Sequence, residues 1–278
     1  MGLRLMYVTG DPKVAAVIQH CGVDWIFLDL EIQGKEARQA GLNAVISRHS
    51  LADVRACRAV IDQSRLLVRV NAWNHQSPEE IESVIDAGAD IVMLPWFKSA
   101  DEVAGFVDAV GGRATTCILV ETREAMENID SILAVAGVDH AHIGLNDLHL
   151  DLGKTWMFEP LVTGEVEYLA ERLKAASMTF GVGGCGRVGH LSPPAEDIIA
   201  EHYRLGSTSV ILSRSFYNTD TMSSWEDLEE CFRGGVQAIR DWERELLDKD
   251  PAFFEANRQS VRQAVFEVVE NLRAARSS

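Results

Sequence analysis

The sequence predicts an α/β protein built as a (β/α)8 barrel with extra helices at its C-terminus. Short apolar runs of strand length alternate with amphipathic segments of helical length, a pattern typical of repeated βα units around a parallel sheet. We count about eight such units, the number that closes a barrel. A barrel of about 250 residues is normally one domain. For this chain of 278 residues we therefore expect a barrel core at residues 1–222 and a helical extension, continuous with it, at residues 223–278.

Eight segments are predicted to be the barrel strands. Several are apolar throughout, as expected of parallel strands that are covered on both faces. In chain order they are Leu3–Val8, Trp25–Asp29, Leu66–Val70, Ile91–Leu94, Cys117–Glu121, His140–Gly144, Thr179–Val182 and Ser209–Leu212.

Helix signals lie between these strands and after the last one. Ser77, followed by proline and two glutamates, has the pattern of a helix N-cap. Ser99 and Glu102 have the spacing of a capping box. Two further helices are predicted at Ser223–Leu247 and Pro251–Ala275. Because surplus helices need a surface to pack on, we expect a second subunit there and hence a homo-oligomer.

Composition excludes several classes of protein. The chain has 42 acidic and 26 basic residues, a formal charge of −16, which repels phosphodiester backbones and argues against nucleic acid as a partner. The five cysteines are odd in number and have no close-spaced pair, so neither a disulfide framework nor a cysteine-built zinc site is indicated. No apolar stretch approaches the roughly 20 residues of a membrane span and no leader pattern is visible. We therefore expect no membrane partner and a cytoplasmic location.

Two acidic residues stand where predicted strands end. Glu121 follows the apolar run Ile118–Val120, and Asp147 comes soon after Ala141–Gly144. In a parallel barrel, side chains at the C-terminal strand ends face one shared mouth, so two such acids can converge on a hard divalent cation. The alternative is that Glu121 only caps a helix that starts near Thr122.

Three motifs carry a resemblance to a known family. They are Val120–Ala125, Gly144–Leu148 with Gly153 following, and Val68–Val70. In this order and spacing the chain resembles the HpcH/HpaI aldolase and citrate lyase β-subunit family from about Gly10 to about Phe216. The resemblance implies a TIM barrel like the phosphoenolpyruvate/pyruvate domains. It also implies a divalent metal and chemistry at a carbon–carbon bond next to a 2-oxo acid.

The resemblance also implies roles for individual residues. Glu121 and Asp147 would be the metal ligands, and oxygen ligands of this kind suit Mg²⁺ or Mn²⁺. Arg69 would hold the oxo and carboxylate oxygens of the substrate through its planar donor fork. The substrate carboxylate would bind to backbone N–H groups in the turn formed by Gly144, Leu145, Asn146 and Asp147, although the same residues also fit an ordinary tight loop.

Asp29 and Glu31 lie two apart on one strand and hence on one face. An alternative for Arg69 is an internal ion pair with one of them, and both roles can hold at once. Asp29 is thus a candidate beside Arg69 in the catalytic group. Glu31 would be an outer residue that contacts Arg69 or a metal-bound water.

The chain departs from the family pattern at the proton shuttle. In the aldolase branch a histidine follows the glutamate at the end of strand two, but here Ile32 follows Glu31. His75, in the loop just beyond Arg69, is our candidate for the missing acid/base, the alternative being an exposed loop histidine. No predicted strand contains a lysine, which argues against Schiff-base chemistry.

The sequence therefore predicts a metal-dependent 2-oxo-acid aldolase that acts on a hydroxy-oxo acid or a sugar-acid-like compound. One alternative is an acyl-CoA lyase like citrate lyase β or malyl-CoA lyase, although the acidic charge offers no evident basic entrance for coenzyme A. Another is a catalytically impaired barrel that binds a 2-oxo acid, which Ile32 in place of histidine suggests.

Overall fold

Eight parallel strands follow one another in chain order around a closed barrel in the computed structural model, which describes residues 2–32, 49–189, 193–217 and 224–277. The predicted barrel is therefore confirmed, and three strands begin and end at the predicted residues. The strands are β1 Arg4–Val8, β2 Trp25–Asp29, β3 Arg65–Arg69, β4 Ile91–Leu94, β5 Thr115–Val120, β6 His140–Ile143, β7 Thr179–Cys185 and β8 Ser209–Leu212.

Helices separate the strands, and the last two follow β8. They are α1 Pro12–Gln19, α2 Leu51–Arg58, α3 Ser77–Asp86, α4 Ala100–Val110, α5 Arg123–Glu127, α6 Ile129–Leu133, α7 Leu145–Asp151, α8 Glu159–Thr163, α9 Glu165–Ala175, α10 Ala195–Leu205, α11 Trp225–Leu246 and α12 Pro251–Ser277. A short 3-10 helix lies at Arg214–Phe216.

The helix caps agree with the sequence patterns in one case and differ in another. Ser99 caps α4 in a reciprocal capping box with Glu102, as predicted. Ser77 is not an N-cap, because it is the first residue of α3 and Gln76 precedes it without a side-chain cap. The Ser77 hydroxyl instead accepts a hydrogen bond from the N–H of Asn74 at 2.9 Å, so it stabilises the preceding loop.

Backbone contacts divide the chain into two compact units, one of residues 6–142 and the other of residues 1–5 and 143–278. In the first unit, β2 and β4 are buried along their whole length, as expected of parallel strands that are covered on both faces. In the second, large side chains from β7, α10, β8 and the C-terminal helices form the core. They include Phe180, Ile199, Val210, Phe216 and Phe232.

The C-terminal helices belong to the second unit and pack on its other elements. α11 contacts α10 and the 3-10 helix, and α12 contacts α8 and α10. Val261, Val265 and Val269 of α12 are buried there, and Arg258 pairs with Glu167 at 2.6 Å. This chain thus covers part of the apolar face of α12. The second subunit stays a prediction, as does the boundary at residue 222, which lies outside the described residues.

All five cysteines are free, and only Cys231 is more than marginally exposed. Burial, together with nearby Asp53, raises the pKa of Cys57 to about 11, and burial raises that of Cys185 to about 12. Because the thiolate is the reactive form, we expect one thiol to react readily with a disulfide reagent at pH 8. The other four should react only after unfolding. A thiol titration with and without guanidinium checks this, and two or more fast thiols would contradict it.

Among the described helices, none is long and apolar enough to cross a bilayer.

Candidate functional site

Arg69 is held by two acids at the C-terminal ends of neighbouring strands. Asp29 and Arg69 are register partners at the ends of β2 and β3. The Nε and Nη2 atoms of Arg69 donate to Asp29 Oδ1 and Oδ2 at 2.9 and 2.8 Å, and Nη1 lies 3.4 Å from Glu31 Oε2. The expected internal ion pair is therefore present, and it involves both acids. Both oxygens of Asp29 are occupied by Arg69, which favours a positioning role for Asp29 over proton transfer.

Charge and burial together determine the protonation state of Arg69. Its side chain is 12% exposed, while Glu31 has no exposed surface. Burial alone would lower the pKa of Arg69, but the charges of Asp29 and Glu31, with a further contribution from Glu121, raise it well above the ordinary value. Arg69 is thus a permanent cation at the strand ends. Among the described residues, Arg69 donates to no acceptor besides these two acids, so the remaining N–H bonds of Nη1 and Nη2 can donate to a substrate oxygen.

Glu121 is a buried carboxylate directly after β5. It is 2% exposed, and its Oε1 accepts a hydrogen bond from the N–H of Trp96 at 3.1 Å. It does not cap α5, because Thr122 is the N-cap and its hydroxyl accepts from the N–H of Ala125 at 3.0 Å. The capping alternative for Glu121 is therefore wrong.

The loop after β4 positions the amide that binds Glu121. Trp96 has a φ of 52°, in the left-handed region where a non-glycine residue is strained. The next residue, Phe97, is buried, and its carbonyl accepts from the hydroxyl of Thr122 at 2.9 Å. The loop is thus tied to the segment that carries Glu121. The sequence contains no signal for this contact, because a backbone amide donor can belong to any residue but proline.

Gly144 begins a helix, not an isolated turn. It is the N-cap of α7, and Leu145, Asn146 and Asp147 form the first turn. The predicted carboxylate-binding amides therefore belong to a helix N-terminus, where backbone N–H groups point along the helix axis and favour an anion. The binding of a substrate carboxylate there stays a prediction.

Asp147 is a buried acid with one unbonded oxygen. It is 3% exposed, and its Oδ1 has no hydrogen-bond partner among the residues that the structure describes. Near it on α7, His149 is buried, and its Nδ1 lies 3.1 Å from the carbonyl of Leu145, so Nδ1 carries the proton. Burial, the largest effect, lowers the pKa of His149. His149 is therefore neutral at pH 7. The Oδ1 atom of Asp147 is buried and accepts no hydrogen bond from a described residue.

The two carboxylates fit a hard divalent cation, each on its own evidence. Glu121 is buried with one oxygen fixed by an amide, and Asp147 is buried with one oxygen unbonded. Within the described ranges no group of three or more His, Cys, Asp and Glu could hold a metal ion. Magnesium typically takes one or two protein carboxylates and retains water, so each of these acids, taken by itself, has the chemistry of a magnesium ligand.

The predicted acid/base candidate lies on the surface. His75 is exposed, in the loop between β3 and α3. Ile32, where the family pattern has a histidine, is 53% exposed, and its N–H donates to Asn71 Oδ1 at 3.0 Å. Asn71 in turn donates through Nδ2 to Glu80 Oε1 at 2.8 Å and through its backbone N–H to the same oxygen at 3.2 Å. Glu80 thus anchors the residues that follow Arg69 to those that follow Glu31.

Replacement of Glu80 by glutamine is expected to stabilise the protein at pH values where the Glu80 carboxyl is ionised in the folded state. Burial raises the pKa of Glu80, although the hydrogen bonds from Asn71 oppose this. A carboxyl whose pKa is higher in the folded state stabilises the fold below its unfolded pKa, and this stabilisation is lost as the pH rises through the folded value. Glutamine keeps an oxygen for both Asn71 donors and carries no charge. Denaturation midpoints at pH 5 and pH 7.5 test this, and a lower midpoint for Glu80→Gln at pH 7.5 would contradict it.

His49 is a residue of this region that the sequence patterns missed. It lies beyond the end of β2, where its Nδ1 accepts a hydrogen bond from the N–H of Asp29 at 3.1 Å. It also packs on Gly10, just beyond β1, since a Cβ atom built on Gly10 would lie 2.8 Å from its Nε2. Twenty residues separate His49 from Asp29, so no short-range spacing points to the contact.

Known proteins resemble this chain in sequence. The HpcH/HpaI aldolase/citrate lyase family matches residues 4–189. A hydroxypyruvate/pyruvate aldolase from Roseovarius nubinhibens is 27% identical over 203 residues, which cover 62% of this chain and 73% of that protein. A 4-hydroxy-2-oxo-heptane-1,7-dioate aldolase from Salmonella arizonae is 28% identical over 199 residues, or 60% of this chain and 70% of that protein.

Solved structures agree in fold. An HpcH/HpaI aldolase from Desulfitobacterium hafniense has a TM-score of 0.60 at 17% identity, covering 86% of this chain and 93% of its own. A family protein from Burkholderia cenocepacia has a TM-score of 0.60 at 18% identity, covering 87% and 95%. At such identities the likeness shows the fold alone. Because the family match extends over most of the chain and the barrel is the one these structures share, this protein belongs to the HpcH/HpaI aldolase/citrate lyase family.

Proposed function

We propose that this protein is a divalent-metal-dependent carbon–carbon lyase that cleaves or forms a 2-oxo acid through a pyruvate-type enolate. The observation that carries the proposal is Arg69, a largely covered arginine that Asp29 binds through both of its carboxylate oxygens beside Glu31. A fixed cation with unused N–H donors suits an oxygen on which negative charge develops. The substrate is a hydroxy-oxo acid or a sugar-acid-like compound.

Arg69 acts in this scheme through geometry and charge. Its guanidinium is held in one orientation by Asp29, so no reorganisation is needed when charge appears on the substrate oxygen. Glu31 adds a second negative neighbour that keeps the arginine protonated. Both acids are therefore assigned as positioning residues for Arg69.

Glu121 and Asp147 are proposed as the protein ligands of a Mg²⁺ or Mn²⁺ ion. Their support is the burial of both acids, the unbonded Oδ1 of Asp147 and the position of each beyond a strand of the barrel. When bound, such an ion supplies a Lewis acid for the 2-oxo group. The amides of Gly144, Leu145, Asn146 and Asp147 are proposed to hold the substrate carboxylate at the start of α7.

His75 is proposed as the group that exchanges a proton with the substrate through water. Its support is its exposure on the loop that follows Arg69 and Val70 and the loss of the family histidine at Ile32. Imidazole is a common general acid and base in enzymes.

Oxaloacetate decarboxylation in the presence of Mg²⁺ or Mn²⁺ tests the lyase proposal first, because it needs enolate stabilisation but no proton shuttle to a hydroxyl group. We expect turnover that a chelator abolishes and added metal restores. Condensation of pyruvate or hydroxypyruvate with a panel of aldehydes then identifies the acceptor. The names of the two relatives motivate these donors and 4-hydroxy-2-oxo-heptane-1,7-dioate as a cleavage substrate.

The outcomes separate the functional classes. Binding of Mn²⁺ and pyruvate without turnover of any substrate would indicate a 2-oxo-acid-binding barrel without activity. Turnover restricted to coenzyme A thioesters would indicate the acyl-CoA lyase alternative. Absence of metal binding, measured by calorimetry at millimolar Mn²⁺, would overturn the proposal itself.

A further inference from the structure

His49 supplies a hydrogen-bond acceptor to the C-terminal end of β2, beyond the point where β1 ends. The hydrogen bonds from the β1 side end with the N–H of Thr9, which donates to the carbonyl of Phe27 at 3.0 Å. Asp29 is two residues further along β2, beyond the end of β1 at Val8. Its N–H donates to the imidazole Nδ1 of His49 at 3.1 Å. A side chain from a distant part of the sequence thus takes the place of a strand residue.

The packing of the ring restricts its orientation. Gly10 lies against the Cδ2 and Nε2 edge of the imidazole, and a Cβ atom at this position would clash with it. A neutral imidazole that accepts at Nδ1 carries its proton on Nε2, so the hydrogen bond to Asp29 also selects the tautomer. Gly10 and Asp29 together leave the ring little freedom to turn.

The amide that His49 binds belongs to the residue that orients Arg69. The carboxylate of Asp29 accepts hydrogen bonds from Arg69 at 2.8 and 2.9 Å, and its Oδ1 also accepts from the N–H of Glu31 at 3.1 Å. On the other side of the strand, the N–H of Leu30 donates to the carbonyl of Arg69 at 2.9 Å. The end of β2 is thus fixed by β3 on one side and by His49 on the other. Without His49, one of these two supports is lost.

We propose that His49 is a positioning residue for the lyase reaction: as the acceptor for the Asp29 amide, it fixes the carboxylate that aims Arg69 at the substrate. This inference rests on the proposed function. It does not require the imidazole to touch the substrate or to transfer a proton.

The test compares two replacements of similar size. In His49→Asn the amide oxygen can occupy the position of Nδ1 and accept from Asp29, whereas His49→Leu has no acceptor. We expect His49→Leu to lower kcat for oxaloacetate decarboxylation by about tenfold, because small displacements of catalytic groups are costly, with KM little changed. His49→Asn should stay within about twofold of the unaltered protein. Equal impairment of both variants would overturn the acceptor role, as would full activity of His49→Leu.

A control and a second variant separate positioning from loss of stability. His202 is buried in the other compact unit, where its Nδ1 bonds the hydroxyl of Ser207 at 2.9 Å. His202→Leu should lower stability but not kcat per folded molecule. If His49→Leu fails to fold, Gly10→Ala displaces the ring instead, and we expect the same loss of kcat. Unchanged kcat in a folded Gly10→Ala protein would count against the proposal.

A measurement without turnover distinguishes this inference from the lyase proposal. The Nε–H of Arg69, paired with Asp29, should give a ¹⁵N–¹H signal that is protected from exchange and absent in Arg69→Lys. We expect this signal to shift or broaden in His49→Leu and to persist in His49→Asn. If the unaltered protein fails to decarboxylate oxaloacetate but the signal behaves in this way, the lyase proposal is wrong and the positioning of Arg69 by His49 stands. An unchanged signal in His49→Leu overturns the inference whatever the activity.

Discussion

Arg69→Ala is expected to lower kcat for metal-dependent oxaloacetate decarboxylation by about a hundredfold to a thousandfold, the usual effect of removing one preorganised donor from a developing oxyanion. Arg69 has N–H bonds left after Asp29 and Glu31 are bound. Among the described strands of the same unit, the only other arginine at a strand end is Arg65, which lies at the start of β3 and not at its C-terminal end. The measurement is kcat and KM at saturating Mn²⁺.

The same change should also destabilise the protein. It leaves Asp29 and Glu31 buried without their cation, and removal of one partner from a buried ion pair typically costs about 3 to 5 kcal/mol. Denaturant unfolding of the variant and of the unaltered protein measures this loss.

Arg69→Lys is the matched control for these two effects. A lysine retains the positive charge but lacks the planar fork of five donors that pairs with both oxygens of Asp29 and presents further N–H bonds to a substrate. We expect most of the stability to return and most of the activity to remain lost. Near-normal activity in Arg69→Lys would show that charge alone suffices, and normal activity in Arg69→Ala would remove Arg69 from the mechanism.

Glu121→Gln and Asp147→Asn are each expected to weaken Mn²⁺ binding by at least about a hundredfold, since even the loss of an outer contact to a metal ligand costs about 10- to 100-fold. Metal-dependent turnover should disappear with it. Calorimetric titration of Mn²⁺ into the folded variants measures the affinity without any assumption about the substrate. Unimpaired binding in either variant would remove that residue from the metal site.

The two variants should differ in stability when no metal is present. Asp147 has a buried oxygen without a partner, and an unsatisfied buried polar group costs on the order of 1 to 3 kcal/mol. Asp147→Asn removes the charge and should raise the melting temperature of the metal-free protein. Glu121→Gln should not raise it, because Glu121 accepts from Trp96 and attracts Arg69. If Asp147 is retained for function, Asp147→Asn should raise the stability of the metal-free protein while it weakens Mn²⁺ binding.

Less buried acids near each position serve as controls. Glu124 lies three residues beyond Glu121, has a side chain that is 45% exposed, and pairs with Lys98 at 3.0 Å. Asp151 lies at the opposite end of α7 from Asp147. Glu124→Gln and Asp151→Asn should bind Mn²⁺ as the unaltered protein does. A similar loss in these controls would point to a general effect of net charge.

Most of the fold could be predicted from local patterns in the sequence. Trp25–Asp29 and Ile91–Leu94 were predicted with correct bounds because apolar runs between turn residues leave few alternatives for a buried parallel strand. The capping box at Ser99 is also local, since its donors and acceptors lie within one turn. Ser77 was assigned wrongly because its hydroxyl bonds the loop before the helix, a choice that the residue pattern does not distinguish from capping.

The candidate site divides in the same way. Glu121, Asp147 and Arg69 could be identified because strand ends and family motifs are features of short segments. The amide of Trp96 on Glu121 and the imidazole of His49 on Asp29 could not. Each depends on a backbone conformation or on a contact between segments twenty or more residues apart, and residue type alone specifies neither.

By itself, the sequence determined the alternation of strands and helices, the order of the barrel and the family to which the chain belongs, because these follow from hydrophobic periodicity and short motifs. Only the tertiary structure decided that both oxygens of Asp29 bind Arg69, that Thr122 rather than Glu121 caps α5, and that His49 supports the end of β2. The physical reason is that a hydrogen bond is directional and acts over about 3 Å, so its partners are set by where the folded backbone brings distant residues together.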